Sequence, residues 1–240
     1  MIVGGIPMLF GAAGGGPITS IGTLGTGGSN TSNTTLVLTT SAAAEAGNVV
    51  ILTIAKDNVS TTDGNTTEVS SVADSSSNTW TKLREFCNGQ GGANLGAVVS
   101  VWQCKVSTTI ASGGTITATF ASAITAKAMS AWEFQTTGTL EIAGTPVDLA
   151  NDAADAGSMA ISGLASGEYL FFRGIAFEDT GSFTPTASFT AITAAAGGGV
   201  GGASMQVQGE FIILTGTGAT SDPSNNSKDQ AAVFFALKSV

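Results

Sequence analysis

The sequence predicts an all-β protein, an antiparallel β-sandwich with little helix. Three observations carry that expectation. Thr115, Thr117 and Thr119 alternate with Ile116, Ala118 and Phe120, the period of two of a half-buried strand. Strand-like runs recur at short, even spacing between turn residues, with no helical periodicity separating them. Two further runs, 48–55 and 168–177, are almost continuously apolar, as strands covered on both faces must be.

Residues 1–33 are glycine-rich and carry Ile6, Leu9, Phe10, Ile18, Ile21 and Leu24 without a local partner. They are too apolar for an ordinary disordered tail. Two readings stand side by side: an extended N-terminal arm that docks on a neighbouring subunit, or the first strand of the domain behind a frayed end. Residues 34–240 are expected to form a single β-sandwich domain.

Within that domain, residues 34–40 are the next strand. The segment 41–47 (SAAAEAG) reads as a short helical turn or a loop ending at Gly47. Residues 57–67 form a polar loop whose Asp57, Asp63 and Asn65 lack the carboxylate density of a calcium loop, so a solvated turn is expected. The block 68–134 holds strands near 69–74, 80–87, 98–105, 114–120 and 127–134. Trp80, Trp102 and Trp132 each lie inside one of these, and core positions are expected for all three. Residues 139–160 read as a surface crossover. Residues 182–193 read as strand interrupted at Pro185, 194–202 as a flexible tip, 203–215 as strand, 221–229 as a turn and 230–237 as the strand that closes the sheet.

Charged residues make up only 10% of the chain, well under the roughly 25% of a typical soluble domain, and Gly, Ala, Ser and Thr replace them. Such a surface packs readily against copies of itself. The formal net charge of −9 and the scattering of the eight basic residues argue against nucleic acid as a partner. Residues 1–20 are apolar but lack a basic start and are broken by Pro7 and glycines, so neither a targeting signal nor a membrane span is expected.

No histidine occurs, which removes the commonest general base and neutral metal ligand. The carboxylate pairs worth naming for hydrolytic chemistry are Glu133 with Glu141 and Glu178 with Asp179. No nucleophile–base pairing and no phosphate loop is present, so a non-enzymatic protein without cofactor or metal is expected. Cys87 and Cys104 flank a hairpin centred near Gly92. That centre places Cys87 beside Val98 and Cys104 beside Thr81, so two free buried thiols are expected rather than a disulfide.

The stretch VSSVADSSSNTWTKL, residues 69–83, resembles a V-x-x-V-x-D-x-x-G/S-N-x-[YW]-T hairpin of phage virion and bacterial surface proteins. The runs 98–105, 114–120 and 127–134 resemble the strands that follow it there. Residues 46–55 resemble the opening strand, with Asn48 where the family more often has Asp. The similarity covers roughly residues 34–150. It implies a jelly-roll-like sandwich and a virion setting, and names no activity. The function expected is that of a structural protein on the virion surface of a bacteriophage, assembled in the host cytoplasm: a capsid decoration (cement) protein. Its partners would be the major capsid protein or other virion proteins and further copies of itself, a homotrimer being favoured. Ile6, Leu9 and Phe10 would carry the arm contact. The alternative is a carbohydrate- or receptor-binding module, with Trp80 as a ligand-stacking residue.

Overall fold

A computed structural model describes residues 16–57, 62–64, 67–89, 96–198 and 204–240. These residues form an all-β protein with several antiparallel sheets and, among the described residues, no helix. The N-terminal half supplies β1 (Thr19–Ser29), β2 (Asn33–Thr39), β3 (Val49–Asp57), β4 (Val69–Asp74), β5 (Trp80–Asn88), β6 (Ala97–Lys105), β7 (Thr115–Ile124) and β8 (Lys127–Gln135). The C-terminal half supplies β9 (Leu140–Ala154), β10 (Met159–Ile161), β11 (Gly167–Glu178), β12 (Phe183–Thr184), β13 (Thr190–Ala191), β14 (Ala195–Gly198), β15 (Ser204–Gly216), β16 (Ala219–Ser221), β17 (Ser224–Asn225) and β18 (Lys228–Ser239).

The first half builds two sheets, in the orders β1-β8-β3-β6-β5 and β2-β7-β4. The second half builds its own sheet, β13-β15-β11-β18-β9, with β14 also on β15 and two small ribbons, β10-β16 and β12-β17. The five-stranded sheet of the first half lies in the middle. One face packs Val50, Leu52, Ile54, Trp102 and Met129 against Leu36, Leu38, Val69, Ile116 and Phe120 of the three-stranded sheet. Its other face packs Ile51, Val99, Val101 and Phe134 against Leu170, Phe172, Val207, Val233 and Phe235 of the second half. That double coverage is why β3 is buried along its whole length and reads as a continuous apolar run. The outer face of the C-terminal sheet carries a third cluster of Phe171, Ile175, Phe177 and Phe234, capped by Met159 and Ile161 of β10.

β7 shows the expected alternation: Ile116, Ala118 and Phe120 are buried, whereas Thr115, Thr117 and Thr119 are half-exposed. Of the two readings of residues 1–33, strand holds from Thr19, because β1 pairs with β8 from Thr19↔Gln135 to Ser29↔Lys127. Two bulges, at Ile21 and Leu24, bend β1: Ile21 stands out in solvent while Leu24 enters the core. Ile6, Leu9 and Phe10 lie outside the described residues. Residues 41–47 are a loop, tied down by the Ala44–Ile110 bridge and turned at Gly47, whose φ is +96°.

Three readings of the second half are corrected. Residues 140–154 are not a crossover but the edge strand β9. Its pattern is weak because an edge strand is half-exposed, and it carries Pro146 and the positive-φ Gly144. Residues 195–198 are not a tip but a strand on β15. Glycine lets them approach closely: a Cβ on Gly197 would overlap the Lys127 carbonyl, and one on Gly28 would overlap the Ala196 carbonyl. Residues 228–239 do not close the sheet but lie inside it, between β11 and β9.

Candidate functional site

The hairpin that carries the resemblance is a hydrogen-bonded knot. Val69 and Val72 point into the core, and β4 ends at Asp74. One Asp74 oxygen accepts the Ser76 amide at 2.7 Å and the Asn78 side chain at 3.2 Å. The other accepts the Trp80 indole N–H at 2.7 Å. Ser77 takes a positive φ of 59°, a conformation that the glycine alternative at that place in the motif adopts without strain. The Asn78 carbonyl accepts the Ser107 and Thr108 amides, each at 2.9 Å, and its NH₂ donates to the Thr108 carbonyl at 2.9 Å. The Asp, Asn and Trp of the motif therefore lash the β4–β5 turn to the β6–β7 turn. They are occupied with one another.

The three tryptophans are partnered inside the fold. Trp80 is 9% exposed and packs in the core shared by the middle and three-stranded sheets. Trp102 donates to Ser100 Oγ at 2.8 Å, and Ser100 donates to the buried Glu85. Trp132 donates to Ser20 Oγ and meets Phe211 edge-on, with ring centroids 5.3 Å apart. With its ring buried and its N–H on Asp74, Trp80 has no face free for a sugar.

Neither carboxylate pair converges. Glu133 is buried, accepting the Glu45 amide at 2.9 Å and the Asn48 side chain at 2.7 Å, whereas Glu141 is exposed on β9. Glu178 and Asp179 are adjacent but face apart. Asp179, at φ 72°, caps Thr180 and pairs with Lys228 at 3.1 Å. The Thr180 amide, then Lys228, hold its carboxyl below the usual range. Glu178 turns inward, and burial, then hydrogen bonding to Asp229, push it up to about 7. Two carboxyls on opposite faces cannot flank one glycosidic bond. Asp57 ends β3, Asp63 accepts the Gly89 amide at 2.7 Å, and Asn65 lies outside the described residues. Among the described residues, no group of three or more His, Cys, Asp or Glu is placed to hold a metal ion.

Cys87 and Cys104 are buried free thiols. Cys87 faces Val98 as the hairpin centre predicts, while Cys104 faces Trp80, one residue from the expected Thr81, because a bulge between Lys82 and Arg84 shifts the register. Burial pushes Cys104 up to about 12.

Sequence reasoning missed two features. One is a cleft of about 470 Å³ at the start of β1, lined by Pro17, Thr19, Asn48, Lys105, Gln135 and Thr136. Its cation is already committed: Lys105 Nζ donates to the carbonyls of Gly47, Thr136 and Gly138 at 2.5, 3.0 and 2.6 Å. The other is Arg173, wholly buried and donating to the carbonyls of Ala156, Gly157 and Ser221 beneath the outer ribbons. Burial lowers its pKa to about 10. Neither has a local sequence signal, since each depends on loops far away in the chain.

One face of the surface, among the described residues, is small and uncharged. The outer face of the three-stranded sheet ranks Thr35, Thr119 and Ser71 in one row and Val37, Thr117 and Ala73 in the next. No helix among the described residues is long and apolar enough to cross a membrane. No protein-family model, curated protein or solved structure matches this chain.

Proposed function

We propose that this chain is a structural protein of a bacteriophage virion, first of all a capsid decoration protein whose N-terminal half is a jelly-roll-like sandwich. The observation that carries the proposal is the nesting of strand pairs. Rolling up one long hairpin of eight strands joins the first strand to the eighth, the second to the seventh, the third to the sixth and the fourth to the fifth. The pairs β1·β8, β2·β7 and β3·β6 follow that scheme. Only β5 departs from it, lying on β6 instead of β4. These strands span the stretch whose motifs resemble virion proteins. The hairpin knot gives those motif residues a structural task that needs no ligand.

The sparsely charged, hydroxyl-rich composition and the apolar N-terminal segment support assembly as the role. The Gly16 amide donates to the Thr137 hydroxyl at 2.7 Å beside the polar cleft, and the segment carrying Ile6, Leu9 and Phe10 precedes it in the chain. In this reading it is an arm that buries those side chains on a neighbouring copy, in a homotrimer, or on the major capsid protein. Each such side chain is worth roughly 1.5–3 kcal/mol on burial. No catalytic step, cofactor, membrane or nucleic acid enters the proposal. Glycan binding is the rival reading, and it loses its anchor with Trp80 buried.

Purified protein mixed with phage heads tests the proposal. Co-sedimentation at saturable stoichiometry, with no signal on a glycan array, supports it. Glycan or cell-surface binding without attachment to heads refutes it. Removing residues 1–15, rather than any of β1, should leave the fold intact and weaken attachment or self-association.

A further inference from the structure

Two clefts at one end of the middle sheet meet at Lys105. β1, β3 and β5 begin at that end, β6 and β8 finish there, and β9 starts beside them. The larger cleft, of about 470 Å³, is the one lined by Thr19, Asn48 and Gln135. The smaller, of about 230 Å³, is lined by Val49, Thr79, Thr81, Gln103, Thr139 and Leu140. Lys105 lines both. The larger volume alone falls in the range of small-molecule sites, roughly 300–1,000 Å³.

The lining decides which charge can enter. Among the described residues no carboxylate lines either cleft, so a cation finds no counter-charge. Lys105 directs its three N–H donors at the carbonyls of Gly47, Thr136 and Gly138, so an anion finds no donor there. The groups that remain are hydroxyls and amides, which accept and donate without charge. Gln103 gives the smaller cleft its direction. Its Nε2 donates to the Leu140 carbonyl at 2.9 Å, which orients the amide. Its Oε1 is buried and, among the described residues, accepts no hydrogen bond. A hydroxyl can donate to that oxygen while accepting from a neighbouring threonine.

We propose that the clefts at Lys105 bind a small uncharged polyol, a free sugar or sugar alcohol, with one hydroxyl donating to Gln103 Oε1 and its carbons lying against Val49 and Leu140. Trp80 lines neither cleft, and the ligand is a free small molecule, so this differs from recognition of a cell-surface glycan. The site does not rest on the virion reading. Polyol binding is measured on the isolated protein and head attachment on particles, so each can fail alone.

Amide NMR of the full chain, titrated with sorbitol and with glucose, tests the proposal, with sulfate as the charged control. Saturable shifts confined to residues 79–81, 103–105 and 139–140 with either polyol, and absent with sulfate, support it. Shifts that grow without saturating, that spread over the whole surface, or that sulfate reproduces overturn it. Gln103→Leu removes the acceptor and should weaken binding about two- to tenfold, the worth of one neutral hydrogen bond. Equal affinity in parent and variant overturns the proposal. Gln103→Leu also deprives the Leu140 carbonyl of its donor, so Thr81→Val, at an exposed position, decides where that variant folds poorly. Weaker binding with an unchanged unfolding midpoint supports the site, and unchanged affinity overturns it.

Discussion

Asn78→Ala removes the centre of the hairpin knot. The side chain accepts three hydrogen bonds, from the Ser107 amide and hydroxyl and the Thr108 amide, each 2.9 Å long. It donates two more, to Asp74 at 3.2 Å and to the Thr108 carbonyl at 2.9 Å. A buried hydrogen bond is worth about 0.5–1.5 kcal/mol net. Ser107 and Thr108 are exposed, so water replaces part of what their amides lose. The expected cost is therefore about 2–3 kcal/mol rather than the full sum. For a chain of this size that lowers Tm by about 4–12 °C. Urea unfolding followed by tryptophan fluorescence measures it directly, because Trp80 hangs on the same Asp74. The midpoint should fall with the slope unchanged. A loss below about 0.5 kcal/mol would show that the motif residues do not hold the two turns together, and would reopen a ligand-binding role for them.

Ser77→Gly should be neutral or stabilising by up to about 1 kcal/mol in the same assay, since glycine meets the positive φ without strain, whereas Ser77→Val should destabilise. Arg173→Ala should cost about 3–5 kcal/mol, because the carbonyls of Ala156, Gly157 and Ser221 lose their buried donor, and thermal unfolding measures it. Cys87 and Cys104 should react with a thiol reagent only as the protein unfolds, since burial raises both and most strongly Cys104; rapid modification in native buffer would contradict the packing.

The sequence made the buried strands plain and hid the edges. β3, β6, β8, β11 and β18 were legible as apolar or alternating runs because packing on one or both faces dictates every residue in them. β9 was misread as a crossover because an edge strand needs little apolar surface, and Ile142 is partly in solvent. β14 was misread because Ala-Ala-Gly-Gly is chosen for close approach, a requirement set by Ser29 and Lys127 far away in the chain. The register of Cys104 missed by one residue because a bulge leaves no mark in the composition of β5. The resemblance to virion and surface proteins singled out Asp74, Asn78 and Trp80 as a motif, yet their task depends on the turn at 107–108, about thirty residues on. Glu178 and Asp179 are adjacent in sequence, but β11 ends at Glu178 and the positive φ of Asp179 turns its carboxyl to Thr180 and Lys228 while Glu178 stays buried.

Electron cryo-microscopy of phage heads saturated with the purified protein tests the proposed decoration role most directly. The account predicts copies of the three-layered β-protein at regular positions on the outside of the head lattice, with residues 1–15 of each copy ordered against a neighbouring subunit. Particles that lack the chain altogether, or that carry it without any contact from residues 1–15, would contradict it.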